Sequence, residues 1–288
     1  MRSKLFVPGV RPELFAKALA GGADALSLDL EDSVPESRKQ EAREQVAAFV
    51  QSAAVRDSAK LMVVRVNAMD TPHLQADLAA VARSGVDLVN LPKVESAQQV
   101  LGAVSMLERA EAANGLTRPI GLLLTIETPR GLRQAAGIAA AHPRVAGLQV
   151  GLADLFEPFG IDRRDAANVH SILLAVRMAA AEAGVFACDA AFADIGDAAG
   201  FQAEAAMARR LGYVGKTCIH PAQVALANAA FLPDANEIAA ARRIVAAAGQ
   251  ADNAGRGAFL VDGRMVDLPF LKRAQALLAG VDSSPSQS

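Results

Sequence analysis

The feature that most constrains this chain is an alternation. Short apolar runs rich in β-branched residues and leucine recur along it, separated by longer alanine-rich amphipathic stretches. The pattern predicts strands over 4–7, 24–30, 61–67, 86–91, 120–126, 145–151, 185–188 and 213–219. Between and after them, helices are expected near 11–20, 37–54, 72–83, 95–113, 129–141, 162–183, 197–211 and 221–230. Runs such as Ile120 to Ile126 and Leu61 to Val66 are nearly continuous in apolar residues, as suits strands covered by helices on both faces. Eight such units in 288 residues predict an α/β chain closed into a (β/α)8 TIM barrel rather than an open doubly wound sheet. No G-x-G-x-x-G follows the first strand, which argues against a dinucleotide fold.

The barrel is expected to occupy 1–232, leaving a C-terminal extension at 233–282 and a polar, flexible tail at 283–288. Within the extension, a helical stretch near 236–249 runs into the breaker cluster at 251–255. A hairpin follows over 257–266 with an Asp262-Gly263 turn, and then a helix over about 268–278. A barrel does not need this helix-hairpin-helix piece, so it is either a packing arm or a lid.

Composition narrows the function classes. A net charge of −2 and 4% aromatic residues without tryptophan give no footprint for nucleic acid. Two cysteines, Cys188 and Cys218, make no disulfide framework, lack metal-site spacing, and read as small buried hydrophobes. Met1-Arg2-Ser3-Lys4 leads straight into an apolar strand without a signal-peptide pattern, and charges, glycine or proline interrupt every apolar run before it could span a bilayer. The expectation is a cytoplasmic protein that does not enter membranes.

In a parallel barrel, chemistry sits where strands end and βα loops begin. Those positions carry Asp29, Glu31 and Asp32 after strand two, Arg65 and Asn67 after strand three, and Lys93 after strand four. Glu127, Asp154, Asp189, Lys216 and His220 follow from strands five to eight. Charges at such junctions are costly unless paired or bound to a ligand. Glu127 and Asp154 come from neighbouring strands and suit one hard cation, with Mg2+ favoured over zinc because no His/Cys cluster accompanies them. A salt bridge to Arg65 or Arg130 is the competing role for both carboxylates. Arg65 offers a planar fork for a carboxylate, with pairing to Glu31 or Asp32 as its alternative. Glu31 and Asp32 are expected to orient Arg65 or metal-bound water. His220, before Pro221, reads as a helix cap more readily than as a proton carrier.

Six segments carry a resemblance: LFVPGVRPELFAKALAGGADALSLDLEDSV (5–34), VVRVNAMDTP (63–72), NLPKVESAQQV (90–100), IETPRGL (126–132), GKTCIHPAQV (215–224) and GRMVDLPFLKRAQALL (263–278). Together the chain resembles the HpcH/HpaI aldolase and citrate lyase β-subunit family, particularly its CoA-ester lyases such as malyl-CoA and citramalyl-CoA lyases. The resemblance implies a TIM barrel assembled as a homotrimer or a hexamer. It implies Glu127 and Asp154 as magnesium ligands and Arg65 as the holder of a keto-acid carboxylate. Asp267 is implied as the acid/base carboxylate that a neighbouring subunit's lid delivers. Two departures are Ala153, where relatives often have an acidic residue before the metal-binding Asp, and ACDAAFADIGD (187–197) in place of an Ile-Asp-Gly-type segment.

On this reading the chain is a magnesium-dependent carbon–carbon lyase acting on a β-hydroxyacyl-CoA. Its partners are a small keto acid (pyruvate, glyoxylate or oxaloacetate) and a CoA or acyl-carrier-protein (ACP) thioester. Arg65 and Asp267 carry the catalysis, and the backbone of Gly151, Leu152, Ala153 and Asp154 joins Arg65 in binding substrate. A citrate lyase β subunit within a larger complex is the nearest alternative. A pyruvate-type class II aldolase would leave Asp267 unexplained, and a non-catalytic assembly protein would treat the ring of charges as structural.

Overall fold

The computed structural model describes residues 1–253 and 257–282. The tail at 283–288 and the end of the breaker cluster, 254–255, lie outside the described residues. Two compact units divide the chain, Met1–Phe231 and Leu232–Ser288.

The first unit is a closed barrel of eight parallel strands in sequence order. They are β1 (Ser3–Pro8), β2 (Ala25–Asp29), β3 (Leu61–Arg65), β4 (Leu88–Leu91), β5 (Gly121–Ile126), β6 (Val145–Val150), β7 (Phe186–Asp189) and β8 (Gly215–Cys218), with β8 pairing back onto β1. Each falls within about a residue or two of its expected place, because a two-sided apolar run bounded by glycine and polar residues has few alternatives.

Helices α1 (Phe15–Ala20), α2 (Lys39–Val50), α3 (Ala53–Arg56), α4 (Leu74–Val81), α5 (Ala97–Ala113), α6 (Pro129–Ala139), α7 (Leu152–Phe156), α8 (Ala166–Glu182), α9 (Ala198–Arg210) and α10 (Pro221–Ala230) complete this unit. The helix expected over 37–54 divides at Gln51–Ser52, where Ser52 caps α3 by accepting from the Val55 N–H. The one expected at 162–183 starts later, at Ala166, where Asp165 accepts from the Ala167 N–H. Short α7 has no counterpart among the expected helices; five residues after a strand carry too little periodicity to be seen.

The barrel has two apolar cores. The larger lies between strands and helices, with Leu26, Leu28, Val64, Leu124 and Ile126 facing outward into it. A small plug of Val63, Leu88 and Leu123 fills the barrel's lower interior. Above the plug the interior turns polar, and this change positions the site.

In the second unit, α11 (Ala235–Asn253) packs against α12 (Leu268–Asp282). Between them β9 (Phe259–Val261) and β10 (Arg264–Val266) form an antiparallel hairpin. Its turn has φ of 50° at Asp262 and 77° at Gly263, the pair of left-handed residues that an Asp-Gly hairpin turn requires. No helix among the described residues is long and apolar enough to cross a membrane.

Candidate active site

Strand alternation decides which rim residues meet. Asp29 and Arg65 end β2 and β3 and are direct neighbours in the register, so both point into the barrel mouth. Arg65 grips Asp29 with two parallel bonds, Nε to Oδ1 at 2.7 Å and Nη2 to Oδ2 at 2.8 Å. Its Nη1 lies 2.7 Å from Glu31 Oε2 and 3.6 Å from Asp32 Oδ2. The expectation that Glu31 and Asp32 orient Arg65 is thus incomplete: Asp29 is the principal partner, and half-exposed Asp32 contributes little. A signal for this exists in the sequence, since a strand-final Asp two residues before Glu31 shares its inward parity with the strand-final Arg beside it. Burial opposes charge on Arg65, yet Asp29 and Glu31 hold its pKa above the usual value. Asp29 takes the Nε–H and one Nη2–H, and Glu31 stands against Nη1, so of the five guanidinium N–H groups one on Nη2 and one on Nη1 remain for a carboxylate.

Lys93, just past β4, adopts the left-handed backbone, φ 53°. A non-glycine residue there is strained, and the strain serves both of its ends. Its backbone N–H donates to Glu127 Oε1 at 2.8 Å, and its Nζ donates to Glu31 Oε1 at 2.7 Å. Lys93 remains protonated: burial works against it, but the bond to Glu31 and the charges of Glu31, Asp32 and Asp154 raise its pKa.

Glu127 follows β5 and is 3% exposed. It leans on Gly151, where an added Cβ would stand 2.2 Å from Glu127 Oε2. Burial, then Glu31 and Asp154, push the Glu127 carboxyl up to about 8. Asp154 is exposed in the first turn of α7, where N–H groups that open a helix have no intrahelical acceptor. Five carboxylates (Asp29, Glu31, Asp32, Glu127, Asp154) therefore share this rim with two cations, Arg65 and Lys93. That surplus of negative charge, concentrated at a buried carboxylate with a raised pKa, fits a divalent cation. Glu127 and Asp154 would hold it, with positions left for water and substrate as magnesium prefers. No cluster of three or more His, Cys, Asp or Glu side chains able to hold a metal occurs among the described residues. Arg130, considered as a competing partner, instead lies 3.9 Å from Glu95.

Three members of the expected ring, Asp189, Lys216 and His220, leave it. Lys216 is fully buried on the outward side of β8, bonded to Asp189 Oδ2 at 2.6 Å and to Glu204 Oε1 of α9 at 2.5 Å. Alternation sends Thr217, not Lys216, inward, so Asp189 and Lys216 tie the strands to the helix layer. His220 caps α10, its Nδ1 accepting from the Ala222 N–H at 3.2 Å. Cys188 and Cys218 are buried free thiols, as expected. Asp267 belongs to the second unit, between β10 and α12, and its buried Oδ1 has no hydrogen-bond partner among the described residues.

Chemically, the mouth offers a fixed guanidinium edge beside a carboxylate pair suited to a hard cation. The HpcH/HpaI aldolase/citrate lyase family matches residues 2–221. A citrate lyase subunit beta from Escherichia coli K12 is 37% identical over 98% of this chain and 94% of its own length. An L-malyl-CoA/beta-methylmalyl-CoA lyase from Cereibacter sphaeroides is 34% identical over 96% of this chain and 93% of its own. Among solved structures, protein CitE from Mycobacterium tuberculosis in complex with magnesium, acetoacetate and coenzyme A superposes with a TM-score of 0.76. It is 35% identical, covering 98% of this chain and all of that one. A citrate lyase beta subunit from the same organism, complexed with oxaloacetate and magnesium, gives 0.67 at 34% identity over 81% of this chain and 97% of that one.

Proposed function

The chain belongs to the HpcH/HpaI aldolase/citrate lyase family, and from that premise we propose that it is a magnesium-dependent carbon–carbon lyase of β-hydroxyacyl-CoA thioesters such as citramalyl-CoA or malyl-CoA. The observation that carries this reading is the buried Glu127 carboxylate, seated against Gly151 beside Glu31 and Asp154, at the rim that also holds the Arg65 guanidinium fixed by Asp29 and Glu31.

In this reading Glu127 and Asp154 hold the ion, which supplies Lewis acidity toward the oxygens of the hydroxy acid. Arg65 binds the carboxylate of the acid portion through its remaining N–H groups, while Asp29 and Glu31 keep the guanidinium plane fixed. Backbone N–H groups of Leu152, Ala153 and Asp154, which open α7, help to seat that carboxylate, whereas the Gly151 N–H, expected to join them, is instead donated to Ile126 O at 3.0 Å. As the carbon–carbon bond breaks, the hydroxyl gives its proton to solvent water and becomes the carbonyl of the released oxo acid. The bonding electron pair passes into the thioester as an enolate, and Asp267 protonates its carbon to give the acyl-CoA. In the condensing direction Asp267 removes that proton. As the resemblance implies, Asp267 comes from a neighbouring subunit of a homotrimer or hexamer, and the enzyme works in the cytoplasm.

Likeness to citrate lyase beta subunits supports a second reading, in which an ACP carries the thioester within a larger complex. Assay of the purified chain alone on citramalyl-CoA and malyl-CoA separates the two. Magnesium-dependent cleavage of a free CoA ester is expected; a chain inert on both, yet active on an ACP thioester, would assign the second reading.

A further inference from the structure

Beneath the rim lies a second polar layer. In a closed eight-stranded barrel, inward side chains fall in tiers of four from alternate strands. The pairings Phe6↔Ser27, Arg65↔Asn90, Thr125↔Gln149 and Lys4↔Thr217 put Ser27, Asn90, Gln149 and Thr217 into one tier from the even-numbered strands. Lys4 starts from the odd-strand tier below, with Val63, Leu123 and Cys188, and all of these residues are buried. The Lys4 side chain rises until Nζ stands 4.0 Å from the centroid of the Phe6 ring. The same ring carries the Arg65 guanidinium at 4.7 Å, so Phe6 links Lys4 to the carboxylate-binding arginine.

Lys4 is 0% exposed, and its Nζ has no hydrogen-bond partner among the described residues. The same holds for Ser27 Oγ, Asn90 Oδ1 and Gln149 Oε1. One donor with three hydrogens thus stands in a tier with three unused oxygens. Buried polar groups that do not reach one another directly are satisfied by ordered water, which bridges two to four partners.

We propose that Lys4 is a positioning residue for oxo-acid binding: its buried ammonium, bridged by water to Ser27, Asn90 and Gln149, holds Phe6 under Arg65 and sets a second cation beneath the carboxylate pocket. This inference rests on the lyase reading above. The ionisable groups facing Lys4 are Cys188 of β7, Arg65 of β3, Asp29 of β2 and Cys218 of β8. Strands β4, β5 and β6 bring Asn90, Thr125 and Gln149, which do not ionise. Burial lowers the Lys4 ammonium to about 8, so the second cation is present below that pH and lost above it.

The test is calorimetric titration of pyruvate into the full chain at saturating magnesium, from about pH 6.5 to about pH 9, with Lys4→Met and Lys4→Gln beside the wild type. Wild-type affinity is expected to fall about tenfold as pH rises past Lys4's titration. Both variants should bind about tenfold more weakly at the low end and lack that limb. The limb has the opposite sign to ionisation of Glu127, which would strengthen binding as pH rises. Folded variants that keep wild-type affinity and its pH dependence overturn the inference while leaving the lyase reading intact. A wild type that binds neither magnesium nor pyruvate overturns both. Should the variants not fold, the Lys4 Nζ resonance of the wild type decides: its titration should move upward when pyruvate binds, and an unmoved titration refutes the proposal.

Discussion

At Gly151 one hydrogen atom makes room for the candidate metal ligand, since a methyl group there would stand 2.2 Å from Glu127 Oε2. Gly151→Ala should displace that carboxylate and weaken magnesium binding about tenfold or more, read by calorimetry, while the barrel stays folded. Glu127 itself makes a pH prediction. Its ordinary pKa of 4.5 is raised to about 8 in the fold, chiefly by burial. Between those values the native state keeps a proton that the unfolded chain has released, so metal-free stability falls as pH rises through that window. Magnesium favours the ionised form, so its stabilisation should be larger at the alkaline end. Thermal melts of the wild type with and without magnesium check this, and Glu127→Gln should flatten both effects. A Glu127→Gln protein as responsive to magnesium as the wild type would remove Glu127 from the metal site.

Strand and helix ends are held by charges that point away from the chemistry. Lys216 joins β8 to Asp189 of β7 and to Glu204 of α9, and Glu204 also accepts from Arg163 at 2.9 Å. Every member of this group is buried or nearly so, and removing one partner leaves the others charged without compensation. Lys216→Met should therefore destabilise the barrel by about 3–5 kcal/mol in urea unfolding. The site residues stand on the opposite face of the strands, so magnesium affinity of the folded fraction should be unchanged. Loss of magnesium binding without loss of stability would return Lys216 to the rim that strand position alone suggests for it.

For the molecule as a whole, the proposed reaction needs Asp267 of the second unit to reach a barrel mouth. Asp267→Asn should lower turnover about 10²–10⁴-fold, with little change in KM or melting temperature, because proton transfer is made only in the transition state. If the acid comes from a neighbouring subunit, co-expressing Asp267→Asn with Arg65→Ala should restore activity to mixed oligomers that neither variant has alone. Absence of restoration, with mixed oligomers demonstrated, would place Asp267 at its own barrel. The sequence by itself determined the eight-fold alternation, the hairpin turn at Asp262 and Gly263, and the short list of rim residues holding Arg65, Glu127 and Asp154. Periodicity, turn chemistry and strand ends are local properties, so no distant contact is needed to read them. Only the tertiary structure decided which rim residues face inward together. Lys93 bridged Glu31 and Glu127, Lys216 met Glu204 of α9, and Lys4 came to lie beneath the site. Those outcomes depend on barrel register and on the side each strand end presents, and neither is fixed until strands distant in sequence have paired.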